Sequence, residues 1–393
     1  MTVNIDDILR VRLRTQLIDG SSVSTPHDVA SHLLALQAQD YAGSLWSLGL
    51  RLPGTTLADI ERAIAERRIV RTWPMRGTLH FVVAEDVRWL LSLLTPRIVA
   101  RATTRHAALG QTDATFNRAG HLFREALSGG RAITRPDAMA LLEAGGIATA
   151  AQRGYHVLWM LAQQGILCCG PIAAKQQTFV LLDEWVPPGP AEQDAPPRDV
   201  ALSRLAARYV RGHGPATAED LAWWAGITKT DARAALDAVA EQFEHADVDG
   251  KRFWLAPGAH AAAAAGATAG APGRDSVARG SADPRVDLLP GFDEYMLGYT
   301  DRTLQLGEHH ETYGATVSAN GMFSGTVVVD GRIAGTWKRA LKRERVEIAV
   351  RAFRSPTAEE RAGIDAAAER FGEFVGLAPV VRVDSAGATA RPS

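Results

Sequence analysis

The sequence predicts an α+β, mainly helical fold made of three tandem winged-helix modules and a small C-terminal β-domain. Three observations carry that expectation. One helix-start signature occurs three times, a strand-rich piece follows each occurrence, and the hydrophobic period changes from helical to alternating toward the C-terminus.

The signature is Thr25-Pro26-His27-Asp28, then Thr134-Arg135-Pro136-Asp137, then Thr217-Ala218-Glu219-Asp220. A threonine at an N-cap accepts a backbone N–H and an acid three residues on bonds back to the cap, so each tetrapeptide starts a helix. A candidate helix precedes each start, over Asp6 to Ile18, Ala114 to Leu127 and Val200 to Arg211. Helical spacing resumes after it, through Leu57, Ile60 and Ile64, through Tyr155, Leu158, Trp159 and Ala162, and through Leu236, Val239 and Phe243. Then come the strands. Ile69 to Val83 alternates around Trp73-Pro74-Met75-Arg76-Gly77, Gly165 to Leu182 is strand-like, and Val248 to Trp254 contains an Asp249-Gly250 hairpin signal. Helix, helix, helix, hairpin is the order of a winged-helix module.

The modules so read cover residues 1–110, 111–186 and 198–256, with the proline-rich Pro187 to Pro197 as a linker. The Ala/Gly-rich stretch His260 to Gly280 is too poor in large apolar residues to pack and reads as a mobile loop. The β-domain covers 284–393. In it Val327 to Ile333 is strand, turn and strand with Asp330-Gly331 at the bend, and Arg345 to Phe353 alternates. Thr357 with Glu360 caps a last amphipathic helix carrying Ile364, Ala367, Phe371 and Phe374.

Composition narrows the function classes. A chain of 393 residues exceeds one ordinary core. Its 46% hydrophobic and 22% charged residues are those of a soluble globular protein, no apolar run is long enough to span a bilayer, and the first residues lack a signal peptide's pattern, so a cytoplasmic protein is expected. The two cysteines, Cys168 and Cys169, are adjacent and point to opposite faces of a strand, which excludes a disulfide framework and every multi-cysteine metal spacing. His309-His310-Glu311 has no second cluster to complete a metal site, so neither metal nor cofactor is expected. A net charge of −1 excludes a purely electrostatic nucleic-acid binder but allows a local basic surface.

Gln37 and Gln39 close an apolar helical run, Ser31 to Asp40, in which Leu33, Leu34 and Leu36 look like core. Large amides are costly to bury unpaired, so they are either satisfied internally or aimed at a ligand. Residues two apart lie on opposite sides of a helix, and both amides reach one site only if the helix ends or distorts near Ala38.

Three segments, in order, carry a resemblance that spans about residue 5 to 375: Leu36-Gln37-Ala38-Gln39, Arg71 to His80, and Leu288 to Tyr299, the last followed by Gly331 to Lys338. They resemble the AlkZ-like DNA glycosylases, the tandem winged-helix family that includes the YcaQ-type enzymes. The resemblance implies three winged-helix units and a β-domain around a positively charged DNA channel, and excision of alkylated purines, including the unhooking of interstrand crosslinks. It assigns Gln37 and Gln39 to catalysis, in the double-glutamine version of the AlkZ branch associated with azinomycin-type crosslinks. The implied partner is double-stranded DNA carrying such lesions, bound by a monomer, in repair or toxin self-resistance.

The chemistry agrees with a restricted substrate. Glutamine is no general base near neutral pH and can only position and polarise water. A purine alkylated at N7 or N3 already carries positive charge and leaves without further protonation, so a positioned water suffices. With no lysine near the pair to form a Schiff base, a monofunctional hydrolase is expected.

Arg71, Arg76 and His80 sit on or beside a short glycine-containing turn, either as phosphate contacts of a wing, with a catalytic contribution of His80 as the second reading, or as a hairpin whose arginines pair with acids. Lys338, Arg339, Lys342 and Arg343 form the strongest basic run, a solvated surface turn or a DNA-backbone contact. Asp293 and Glu294 are an acid–base pair of another hydrolase, or else a turn cap or arginine partner. The alternative from another class is a non-enzymatic winged-helix transcriptional regulator. Its recognition helix should carry base-reading side chains, whereas Leu57 to Arg67 and Asp231 to Phe243 are rich in Ala, Glu and Asp.

Overall fold

Each of the three threonine signatures starts a helix in the computed structural model, which describes residues 4–173, 175–189, 196–259, 261, 283–314 and 323–385. The Ala/Gly-rich stretch from His260 lies, apart from Ala261, outside the described residues. Helix α1 (Ile5–Thr15) leads to α2 (Pro26–Leu33), capped reciprocally by Thr25 and Asp28. Strand β1 (Leu36–Gln37), α3 (Tyr41–Gly49) and α4 (Leu57–Ala65) follow, then the hairpin of β2 (Ile69–Met75) and β3 (Thr78–Val83). Pro74 lacks an N–H, and the β2–β3 register shifts between Thr72 and Met75, where a proline is tolerated.

The next part runs α5 (Ala84–Ala108), α6 (Asp113–Leu127), β4 (Ile133–Thr134), α7 (Arg135–Ala144), α8 (Arg153–Gln163), β5 (Leu167–Ala173), β6 (Gln176–Leu181) and α9 (Leu182–Trp185). The two hairpins do not stay apart. Their strands form one six-stranded sheet in the order β1-β3-β2-β5-β6-β4, joined where Arg71 on β2 faces Cys169 on β5. Cys168 and Cys169 are both free and buried, and they face separate cores. Burial pushes the Cys169 thiol up to about 12.

Helices α10 (Arg198–His213), α11 (Ala218–Ala225) and α12 (Lys229–Asp237) precede the two-stranded sheet of β7 (Glu244–Val248) and β8 (Lys251–Leu255). Asp249 and Gly250 form its turn with φ of 49° and 72°, as the Asp-Gly signal requires.

The C-terminal sheet has five strands: β9 (Val286–Leu289), β10 (Gly325–Val329), β11 (Arg332–Leu341), β12 (Arg345–Ala352) and β13 (Ala378–Ser385), in the order β13-β12-β11-β10-β9. Its β12–β13 pair is parallel, and the capped helix Ala358–Val375 makes the crossover. His309 and His310 belong to short helical turns, with the His309 ring 5.1 Å from Phe353.

This last region packs directly on the first. Trp46 of α3 lies 5.1 Å from both Phe371 and Phe374, and its indole N–H donates to the Leu288 carbonyl at 2.7 Å. Leu36, Ala38, Phe81, Trp337 and Phe371 share one apolar core. That packing carries the segment after β9 to the back of β1. Among the described residues, no helix is long and apolar enough to cross a membrane.

Candidate active site

The chain turns out of α2 before it reaches the glutamines. Leu34, fully buried, takes φ of 66° and ψ of −46° as the C-cap, a strained γ-turn closed by the Ala35 N–H on the Leu33 carbonyl at 2.7 Å, which ends the helix. The helix expected to run to Asp40 therefore stops at Leu33, earlier than the break required near Ala38. Beyond it Leu36 pairs with Phe81 and Gln37 with His80, and Ala38 N–H continues the ladder to the Leu79 carbonyl at 2.7 Å. The physical cause is packing: alternation buries Leu36 and Ala38 in the core, and the intervening glutamines are left on the other face.

Both amides meet the β2–β3 hairpin. Gln37 Oε1 accepts from Arg76 Nη2 at 3.2 Å, and Gln39 Oε1 accepts from the Leu79 N–H at 3.3 Å. Gln37 is half-buried and Gln39 exposed. Each donor in these bonds lacks an acceptor function, so the atom facing it is the amide oxygen. Among the described residues neither amide nitrogen has a hydrogen-bond partner, so both remain for a ligand or water.

The three residues expected to contact phosphate from the first hairpin are placed otherwise. Arg71 is 8% exposed and donates to the Ala38 carbonyl from Nε and Nη2, at 3.1 and 2.7 Å, and to Gln177 Oε1. It braces the motif from behind. Arg76 and Gly77 form the tight turn with φ of 53° and 71°. The Arg76 side chain folds inward to the Trp224 carbonyl and Gln37 and lies over the Trp223 ring, 5.0 Å from its centroid. His80 is fully buried, its Nδ1–H donating to the Thr78 carbonyl at 2.9 Å. Burial and the adjacent Arg76 charge lower its pKa to about 3, so it is neutral at physiological pH. A buried neutral imidazole neither contacts a phosphate as a cation nor donates a catalytic proton.

Sequence reasoning left Glu294 outside the site, and the fold puts it there. Its Oε1 accepts the Gln37 backbone N–H at 2.9 Å, and its Oε2 accepts from Trp224 Nε1 at 2.8 Å and His213 Nε2 at 3.3 Å. Burial acts to raise this carboxyl, but the His213 bond and the charges of His213 and Arg76 bring it down to about 2. Asp293 follows the cap-and-arginine reading: it accepts both Arg51 Nη nitrogens at 2.8 Å and caps the turn Glu294–Leu297 through Tyr295 N–H. The signal available in the sequence was the Asp293-Glu294 pair in an otherwise apolar segment. His213 and Trp224 carried no comparable signal.

The basic run starts beside the motif and leads away from it. Arg339 approaches Asp40, the residue after Gln39, at 3.4 Å. Lys338, Lys342 and Arg343 are exposed, and Lys342 is 3.7 Å from Glu347. Leu341, 54% exposed, lies among them.

The sequence matches the family model "DNA glycosylase AlkZ-like" over residues 30–374. An interstrand DNA cross-link repair glycosylase of Streptomyces sahachiroi is 27% identical over 349 residues, covering 83% of this chain and 85% of that protein. The solved structure of the Streptomyces sahachiroi DNA glycosylase AlkZ has the same fold, with a TM-score of 0.78 at 23% identity over 98% of this chain and 100% of that one.

Proposed function

This chain belongs to the AlkZ-like family of DNA glycosylases, hydrolases of N-glycosyl bonds, and from that premise we propose that it excises N7- or N3-alkylated, cationic purines from duplex DNA. The observation that carries the reading is the protonation state of the two titratable groups packed against the Gln37 strand. Gln37 and Gln39 are brought to one hairpin, while the neighbouring His80 is held neutral and Glu294 is ionised and sealed from solvent. None of these groups protonates a leaving base near pH 7. The lesion must therefore bring its own positive charge.

In this mechanism the amides orient a water toward the anomeric carbon and the C–N bond breaks as the base takes up its electron pair and becomes neutral. The sugar is oxocarbenium-like at that moment, and water addition with loss of a proton completes an abasic site. Arg339, Lys338, Lys342 and Arg343 hold the DNA backbone, and Leu341 gives that strand end the apolar tip among cations that groove-binding segments use. Interstrand cross-link repair is named in the Streptomyces relative, and unhooking of such crosslinks by this chain fits the same leaving-group logic, in repair or in self-resistance. We read the helical units as three tandem winged-helix modules over 1–110, 111–186 and 198–256, followed by the β-domain over 284–393.

The test is base release from a duplex with one N7-methylguanine, scored as abasic-site cleavage. The wild-type protein should convert the strand, and Gln37→Ala and Gln39→Ala should slow it. Tight binding with no release from any cationic adduct would overturn the reading.

A further inference from the structure

Gln37 lies on β1, at the free edge of the six-stranded sheet. Its neighbour Ala38 supplies the ladder bond to β3, so the Gln37 N–H points away from the sheet, where an edge strand ordinarily meets water. Glu294 takes that N–H instead, at 2.9 Å and from a segment 257 residues away. The carboxylate is fully buried, and its second oxygen is occupied by Trp224 and His213. On the other side, the Arg76 guanidinium fixes which way the Gln37 amide faces, because a donor-only group selects its oxygen. Arg76 is itself desolvated, and the Glu294 charge opposes the effect of that burial. A main-chain atom and a side-chain atom of one residue are thus held by two opposite charges that also stabilise each other.

We propose that Glu294 and Arg76 are a positioning couple for the hydrolysis, fixing the backbone and the amide orientation of Gln37 respectively. Glu294 thereby places one layer behind the motif the negative charge that two glutamines lack, without touching substrate. The inference rests on the glycosylase reading above and adds to it the two residues that make Gln37 competent.

The experiment uses the full chain and the N7-methylguanine duplex, with single-turnover release and DNA affinity measured separately for wild type, Glu294→Gln, Arg76→Gln and the double variant. Each single variant should release base about tenfold or more slowly at an affinity within about twofold of wild type. The double variant should lose no more than the slower single one, because both residues act through Gln37. An unchanged rate in Glu294→Gln, losses that multiply in the double variant, or a loss carried entirely by affinity would overturn the couple. Should Glu294→Gln not fold, Arg76→Gln decides alone: slower release at unchanged affinity supports positioning, and weakened affinity with unchanged release makes Arg76 a DNA contact. A wild-type protein that releases no base counts against the function itself, whereas an active wild type beside unaffected variants counts only against the couple.

Discussion

The surroundings of Gln37 and the basic end of β11 use the same residue types in opposite ways. Around Gln37, Arg71, His80 and Glu294 have little or no contact with water, Arg76 is half-buried, and each is met by a fixed partner. From Lys338 to Arg345 the cations are mostly exposed, with partners such as Glu347 that are themselves 40% exposed. A buried charge is desolvated and persists only where geometry compensates, so it specifies position. An exposed charge costs little to maintain, is screened by salt, and acts on a polyanion without needing one fixed geometry. The difference teaches that a basic residue near the glutamine motif can be a fixed internal brace rather than a surface for a polyanion.

The largest expected effect lies in the buried region. Asp293→Ala leaves Arg51 as an unpaired interior cation and should lower unfolding free energy by about 3–5 kcal/mol, measured by urea denaturation. A loss below about 1 kcal/mol would put Asp293 with the surface pairs and erase the contrast. Next, Gln39→Ala should cut single-turnover base release by about a hundredfold, the scale of losing one preorganised hydrogen-bonding group at a reacting centre. Melting temperature should hardly move, since Gln39 is exposed.

A smaller effect comes with pH. His80 has a folded pKa of about 3 against 6.5 in its ordinary state, so below pH 6.5 the unfolded chain binds a proton that the native state refuses. Stability from this group is complete above pH 6.5 and falls with acidification by at most about 1.4 kcal/mol per pH unit. Glu294, lowered to about 2 from 4.5, adds a loss of the same sign below pH 4.5. His80→Gln should flatten the stability profile between pH 6.5 and 4.5 in denaturation series, and an unchanged slope would mean that His80 is not held neutral. The smallest effect on the fold belongs to the exposed region. Lys342→Gln with Arg343→Gln should leave stability within about 0.5 kcal/mol, yet reduce the slope of log affinity against log salt by about 1.8. Equal salt slopes would remove the run from the DNA surface.

Much of the architecture was legible in local chemistry. Thr25, Thr134, Thr217 and Thr357 each cap the helix expected of them, and Asp249-Gly250 and Asp330-Gly331 make the expected turns, because caps and two-residue turns involve only neighbours in sequence. Helix α5 was not legible. It packs Leu90, Leu91 and Leu94 into one core and Ile98, Val99 and Ala102 against another, so its 25 residues show no single apolar stripe. Strand β13 was missed too, since its partner β12 is parallel and reached only across a helix. At the site, the glutamines and Asp293-Glu294 stood out as polar residues in apolar company. Their joining did not.

The sequence alone determined what Gln37 and Gln39 can do, since an amide side chain has no proton chemistry near neutral pH in any fold. It also determined where helices begin and hairpins turn. Only the tertiary structure decided that the helix stops at Leu33, that Arg71, Arg76 and His80 face inward, and that Glu294 closes on the Gln37 N–H across 257 residues. The physical reason is that residue chemistry and caps are local properties. Burial and the pairing of distant charges depend on which cores form together, and no spacing along the chain encodes that.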